Sequence, residues 1–399
     1  MWIIAPMKRM IMSSSPGFLS ASPMKGSPIL AMARRAAELR AGGRDIVDLT
    51  LGEPDFSPPS HVGDSAVAAA HRPLGYTPSN GTSALRSAAR AALSRDRGLA
   101  YADNEVAVGC GAKQVIFNAF MATLEAGDEV IIPAPYWASY PDMVRMRGAI
   151  PVIVPCPAVS GFRLSPEALA KAITERTRWV IINAPGNPSG VDYSGEELSA
   201  LAQELRRHRQ VLVMSDEIYA HIRYADEPYV NLAMVAPDLR DRILIIDGVS
   251  KAYAMTGWRV GWGFGAADLI TRISVIQGHN CTQTSALSQI AAVAALEGSQ
   301  AVLAERNAIY RQRRDAGIAI LSACTELEVK APAGAFYFFP KLRGDADDEA
   351  VADRLLEAGV ATVPGSAFGA PGHLRLSFAT EIATVEAGCR RIIETLRVR

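Results

Sequence analysis

The sequence predicts an α/β protein built on a doubly wound, mostly parallel sheet, and three observations carry that prediction. Short apolar runs alternate with helical segments from about residue 105 to residue 265. Several runs are continuously apolar rather than alternating, as strands buried on both faces require. The segments between them carry helix-start signals, among them a serine cap followed by proline and a serine–glutamate capping box.

Taken in order, residues 17–59 are rich in Pro, Gly and Ser and hold one helix, "AMARRAAELRAGG". The strand candidates then follow as "EVAVGC" (105–110), "DEVIIP" (128–133), "IPVIVPC" (150–156), "RWVIINAP" (178–185), "QVLVMSDE" (210–217), "RILIIDGV" (242–249) and "RVGWGFG" (259–265). Behind the first strand, "QVIFNAFMATLEAG" reads as a helix ended by its glycine. "SPEALAKAI" opens with Ser165 as cap and Pro166 at the first helical position. "SGEELSALAQELRRH" pairs Ser194 with Glu197 as a capping box. After about residue 300 comes a long helix, "QAVLAERNAIYRQRRDAGIAILSA", then short mixed elements. The expected organisation is a large α/β domain at 60–300 and a smaller α+β domain made from 17–59 and 301–399. Residues 1–16 are expected to form a disordered extension.

Bulk properties narrow the class. Apolar residues make up 49% and charged residues 21% of the 399, which suits a soluble globular chain. A formal net charge of zero with no basic block argues against nucleic acid. Five scattered cysteines without a C-x-x-C pair argue against a disulfide framework or a zinc site, and the six histidines show no metal spacing. No metal is expected. The opening "MWIIAPMKRMIM" is interrupted by Lys8 and Arg9, unlike a signal peptide, and no run approaches the roughly 20 apolar residues of a membrane span. A cytoplasmic location without a membrane partner is the expectation.

The polar residues at the strand ends suit one kind of ligand, since open α/β sheets bind at the carboxyl ends of their strands. Gly111 and Ala112 stand between a strand and a helix, where backbone amides approach anions. Asn187 lies in "NAPGNPSG", and Asp216 and Tyr219 in "SDEIY". Lys251 follows "RILIIDGV", and Arg259 comes eight residues later. Only seven of the 41 basic residues are lysines, which makes a lysine at the end of a buried strand informative. Lysine forms a Schiff base with an aldehyde and arginine does not. A carboxylate such as Asp216 keeps a pyridine nitrogen protonated, so that the ring accepts electrons. Asn187 and Tyr219 suit a ring hydroxyl, Arg259 a phosphate, and Trp137 in "PYWASY" a ring face. Lys113 opens a helix, where its charge opposes the dipole; a nearby anion and a solvated surface position both account for it.

With these stretches the chain resembles the class I aminotransferases, the fold-type-I enzymes that use pyridoxal 5′-phosphate. "NAPGNPSG", "SDEIY" and "SKAYAMTGWRVG" carry the resemblance. It extends from "LGEPDFSPP" through "GYTPSNGTSALRSA" and "GAKQVIFNAF" to "GHLRLSFA". The subgroup it is most similar to is that of the bacterial aspartate aminotransferases with Gly-x-Lys-Gln in the phosphate loop. The resemblance implies that Lys251 is the Schiff-base lysine and the proton-moving base, and that Asp216 pairs with the pyridinium nitrogen. Tyr219 and Asn187 would bind the phenolic oxygen, and Trp137 would stack on the ring. The Gly111 and Ala112 amides with Arg259 would hold the phosphate, joined by Tyr76 of a neighbouring subunit in a homodimer with shared sites. Arg375 would clamp the substrate carboxylate with help from the Gly52 amide. Apart from the resemblance, Lys113 is the candidate for the distal carboxylate of an acidic donor, because it directly follows the phosphate loop and opens a helix. The implied reaction is ping-pong transamination between an amino acid and a 2-oxo acid, aspartate or glutamate with 2-oxoglutarate or oxaloacetate.

Three positions depart from that pattern. Gly248 stands where many relatives carry a phosphate-touching serine. Ser189 replaces a threonine, and Ile29 sits where a hydroxyl residue is expected near the substrate side chain. Alternatives on the same fold are transamination of aromatic or other neutral amino acids, carbon–sulfur β-elimination and ring-forming γ-elimination. A regulator with an aminotransferase-like sensor domain would need a basic helix-turn-helix domain ahead of "LGEPDF", which only about fifty residues precede. A P-loop reading of "QVLVMSDE" fails because the chain has no Gly-Lys pair, and "GWGFG" lacks the spacing of a dinucleotide loop.

Overall fold

The computed structural model describes residues 26–344 and 346–397, so the extension expected at 1–16 lies outside the described residues. A seven-stranded sheet forms the centre: β1 (Val106–Gly109), β2 (Glu129–Ala134), β3 (Ile150–Pro155), β4 (Thr177–Asn183), β5 (Leu212–Asp216), β6 (Ile243–Gly248) and β7 (Gly261–Phe264). Their spatial order is β3-β2-β4-β5-β6-β7-β1. β7 runs antiparallel to both its neighbours, and every other pair is parallel.

Alternate residues of the central strands feed two separate cores. Val180 and Ile182 of β4, with Val213 and Ile245, pack on one face. Trp179 and Ile181, with Met214 and Ile246, pack on the other. This two-sided burial is the physical reason for runs without polar alternation. β3 differs from that expectation. It is an edge strand, and its Ile150 and Ile153 are 42% and 36% exposed. Arg259 does not join β7, because its φ of 55° turns the chain out of extended geometry.

Helix caps form where the sequence places them. Ser165 accepts from the Ala168 amide at 3.2 Å ahead of Pro166–Ala172. Ser194 and Glu197 close both halves of their capping box ahead of Gly195–Arg207. The helix behind β1 spans Ala112–Thr123 and stops before its glycine; Leu124 leaves helical geometry, and Gly127 turns the following loop with φ 88°.

A third core joins the two ends of the chain, uniting Met32, Ala36 and Leu49 with Phe338, Leu355, Phe378 and Leu396. Val47–Asp48 pairs in parallel with Val360–Ala361, and Tyr337–Phe338 pairs with Leu374–Ser377. Tyr219 belongs to this core, so the loop after β5 ends against the material from the chain termini. No single helix among the described residues is long and apolar enough to cross a membrane.

Candidate active site

The carboxyl ends of β4, β5 and β6, the start of the helix Ala112–Thr123 and the strand Leu374–Ser377 border one cavity of about 560 Å³. Ten of the twelve residues singled out in the sequence line it: Gly52, Ala112, Lys113, Trp137, Asn187, Asp216, Tyr219, Lys251, Arg259 and Arg375. Two do not. Gly111 lies just behind the wall, with its amide donating to the Gly109 carbonyl at 2.7 Å. Tyr76 is 91% exposed and is not brought to this cavity within the chain.

Lys251 follows β6 by three residues and donates from Nζ to the Gly52 carbonyl at 2.6 Å. Its ammonium pKa is lowered to about 8, chiefly by burial, with Arg375 and Arg259 acting in the same direction against Glu53 and Asp216. Asp216, the last residue of β5, is buried. Its Oδ2 accepts from the Tyr140 hydroxyl at 2.5 Å and its Oδ1 from the Ile218 amide at 3.3 Å. Burial lifts its carboxyl pKa to about 6; the Tyr140 and Ile218 bonds oppose the rise and Asp247 adds to it.

Arg375 is a further charged group held out of water, 1% exposed. Nη1 donates to Asn187 Oδ1 at 3.1 Å and Nη2 to the Thr50 carbonyl at 2.5 Å, while Nε has no partner. Its guanidinium lies 4.6 Å from the Tyr337 ring centre and 4.9 Å from that of Phe368. No carboxylate among the described residues pairs with it. A buried, unpaired guanidinium is costly unless an anion completes it, so this one marks an anion subsite.

Arg259 marks another. Its guanidinium rests on the Thr256 and Cys110 carbonyls at 2.9 and 3.3 Å, with no carboxylate partner among the described residues. Gly111 makes the approach possible: φ there is 85°, and a Cβ would meet Arg259 Nη2 at 2.5 Å. Two cationic subsites thus flank a lysine and a carboxylate. The Gly248 departure also has a cause. A Cβ at 248 would meet Gly261 Cα at 2.8 Å and the Val260 carbonyl at 2.9 Å, so β6 and β7 leave no room for a serine. Ser250 lines the cavity beside Lys251 and offers a hydroxyl there.

Lys113 Nζ lies 4.7 Å from the Trp137 ring centre, and its pKa is lowered, first by burial and then by Arg259. Ile29, Leu30 and Leu51 give the neighbouring wall an apolar character.

Sequence reasoning missed three residues. Tyr140 binds Asp216 and meets Trp137 edge-on at 5.2 Å between ring centres. Its spacing of three from Trp137 in "PYWASY" was the available signal. Tyr337 places its hydroxyl 2.7 Å from that of Tyr219, and nothing local marks it. Asn183, the last residue of β4, accepts from the Asn187 amide at 3.0 Å and donates to the Asp216 carbonyl at 3.0 Å. It sits at a strand end, where ligand-binding residues gather.

The chain as a whole is similar to known proteins. The family described as "Aminotransferase class I and II" matches residues 44–392. An aspartate/prephenate aminotransferase of Cereibacter sphaeroides is 42% identical over 386 residues, covering 92% of this chain and 96% of that one. The crystal structure of the aspartate aminotransferase from Rhizobium meliloti superposes with a TM-score of 0.92 at 42% identity, covering 96% of this chain and 99% of that one. The aspartate aminotransferase of Thermus thermophilus with maleate gives a TM-score of 0.88 at 39% identity, covering 93% and 97%.

Proposed function

Since the chain belongs to the class I and II aminotransferases, we propose that it exchanges amino groups between aspartate or glutamate and 2-oxo acids, using pyridoxal 5′-phosphate held at Lys251. The observation that carries this reading is the unpaired, buried Arg375 opening on the same cavity as Lys251 and Asp216. The residues present fit the cofactor. Arg259 and the cradle at Gly111 suit its phosphate, the buried Asp216 carboxylate its ring nitrogen, and Trp137 its ring face. Tyr219 and Asn187 suit its phenolic oxygen. When bound, pyridoxal phosphate supplies the aldehyde that takes up an amino group and a ring that accepts electrons from the substrate Cα.

The chain's own part is to bind, orient and move protons. Arg375 grips the substrate α-carboxylate, with the Gly52 amide beside it, and so fixes which Cα bond faces Lys251. Lys251 Nζ removes the Cα proton and returns it, a role that its lowered pKa of about 8 favours at neutral pH. Asp216 holds a proton on the ring nitrogen; Tyr140 keeps its carboxylate in place, and Asn183 holds its backbone carbonyl. Tyr337 fixes the direction of the Tyr219 hydroxyl. The reading also includes a cytoplasmic homodimer. Its domain division is 60–300 with the sheet, and 17–59 with 301–399, which the core joining Met32 to Leu396 supports. A panel of amino donors against 2-oxoglutarate, oxaloacetate and pyruvate tests the function. Turnover of aspartate or glutamate is expected; elimination products without amino transfer would replace this reading with a lyase.

Two further outcomes follow from the same geometry. Lys113 lines the same cavity as the apolar Ile29, Leu30 and Leu51 and is proposed to take the distal carboxylate. Lys113→Ala should remove a charge-assisted contact worth about 1.5–3 kcal/mol, lowering kcat/KM for aspartate by roughly ten- to a hundredfold. Turnover of phenylalanine or leucine should barely change, and equal losses for all donors would reassign Lys113 to cofactor support. Tyr76, exposed in one chain, is proposed to reach the phosphate of a partner's site. Inactive Tyr76→Ala and Lys251→Ala proteins should regain part of their activity when mixed, because one site in each hybrid dimer is then complete. Subunit exchange without recovery would count against sharing.

A further inference from the structure

Cys110 and Cys281 stand 171 residues apart in sequence, yet their sulfurs are 3.8 Å apart. Cys110 follows β1 and directly precedes Gly111, while Cys281 ends the helix Ala267–Asn280. Cys281 is exposed and Cys110 half-buried, whereas Cys156, Cys324 and Cys389 are buried. Gln114 ties the pair together. Its Oε1 accepts from the Cys110 amide at 2.6 Å, and its Nε2 donates to Cys281 Sγ at 2.9 Å. Both sulfurs also approach the Gln283 carbonyl, at 3.7 and 3.8 Å. The two thiols are thereby held facing each other, with Cys281 on the solvent side. A disulfide needs the sulfurs at about 2.05 Å, a closure that side-chain rotation and a small loop shift provide, since both cysteines lie just beyond the ends of regular elements.

We propose that Cys110 and Cys281 form a thiol-oxidation site at which a hydroperoxide produces a reversible intramolecular disulfide. Burial, and after it the neighbouring Cys281, raises the Cys110 thiol pKa, so the exposed Cys281 is the sulfur that meets the oxidant. Cys281 Sγ attacks the peroxide oxygen; the O–O bond breaks, Cys281 becomes a sulfenic acid and an alcohol (or water, from hydrogen peroxide) leaves. Cys110 Sγ then attacks the sulfenic sulfur; the S–S bond forms, the S–O bond breaks, and hydroxide leaves with the Cys110 proton as water. Two thiols lose two electrons in total and the peroxide gains them. A dithiol reverses the step by exchange.

The site is coupled to the anion subsite next to it. The Cys110 carbonyl accepts from Arg259 Nη2 at 3.3 Å, and Gly111 follows immediately. Drawing Cys110 toward Cys281 displaces the support of Arg259, so oxidation weakens phosphate binding; this consequence rests on the proposed function, whereas the disulfide does not.

Purified holoenzyme treated with hydrogen peroxide, then digested without reductant and analysed by mass spectrometry, tests both parts. A cross-linked peptide pair containing Cys110 and Cys281 is expected, cleaved by dithiothreitol, with the other three cysteines still thiols. Oxidised protein should bind pyridoxal phosphate several-fold more weakly than reduced protein. Cys281→Ser should bind it as wild type does and show neither change. Separate sulfinic acids at the two cysteines, or cross-links between subunits, would overturn the site. Unchanged cofactor affinity in the cross-linked protein would overturn the coupling. Failure of the cofactor reading is distinguishable, because reduced wild-type protein would then not bind pyridoxal phosphate at all, whether or not the cross-link forms.

Discussion

Lys251→Ala protein is expected to lose transamination while keeping its fold and its hold on the cofactor phosphate. Deleting the nucleophile of a covalent mechanism costs on the order of 10⁵-fold or more. The fold should survive because the lysine is a burden on it: burial lowers its pKa to about 8, so the charged form is disfavoured where it stands. Its one hydrogen bond goes to the Gly52 carbonyl, which a water can replace. The lowered pKa also predicts how wild-type protein stripped of cofactor takes it up again. Only the neutral amine attacks an aldehyde, so the rate should rise with pH and level off above about 8. At pH 7 the neutral fraction is roughly 200-fold larger than for a free lysine of pKa near 10.4, since each unit is close to a factor of ten. Borohydride reduction of the holoenzyme followed by peptide mapping should tag Lys251. A tag on another lysine, or a rate still climbing well above pH 9, would defeat the assignment.

The second large effect is expected from Asp216→Asn. A neutral amide cannot hold a proton on the ring nitrogen, and losing an electrostatic partner of developing charge costs roughly 3–4 kcal/mol, or two to three orders of magnitude in kcat. The asparagine keeps an oxygen for the Tyr140 hydroxyl, which limits structural damage. Stability should move the other way. The folded-state pKa of Asp216 is raised to about 6, above that of the unfolded chain, so its contribution is fully present at low pH and lost as pH rises through about 6. At pH 7 the carboxylate therefore weakens the cofactor-free fold, and the amide variant should melt no lower than wild type. Measuring kcat and the melting temperature of the cofactor-free protein together separates the two effects. A variant within twofold of wild-type kcat would show that ring protonation does not depend on this residue.

Much of this site was legible because chemistry in an open α/β sheet gathers where strands end. Asn187, Asp216 and Lys251 each stand at or just after an apolar run that forms a central strand, and the glycine before the helix Ala112–Thr123 packs against Arg259. Tyr140 and Tyr337 were not legible in the same way. Tyr140 meets Asp216 across 76 residues and Tyr337 meets Tyr219 across 118, and a tyrosine that completes a buried hydrogen bond leaves no local pattern. Nor do sulfurs that meet across 171 residues, which is why five scattered cysteines read as unrelated.

By itself, then, the sequence determined the class of fold, the order of strands and helices along the chain, the serine caps that open two of those helices, and the residue types the chemistry requires. These depend on local periodicity, on capping and on a family pattern written along the chain. The tertiary structure alone decided the strand order with its antiparallel β7, the exposed edge at β3 and the absence of room for a side chain at Gly248. It also decided that Arg375 would be buried beside Asn187 without a carboxylate to neutralise it among the described residues. Each of these depends on which distant segments pack together, because burial and pairing are properties of neighbours in space and not of neighbours along the chain.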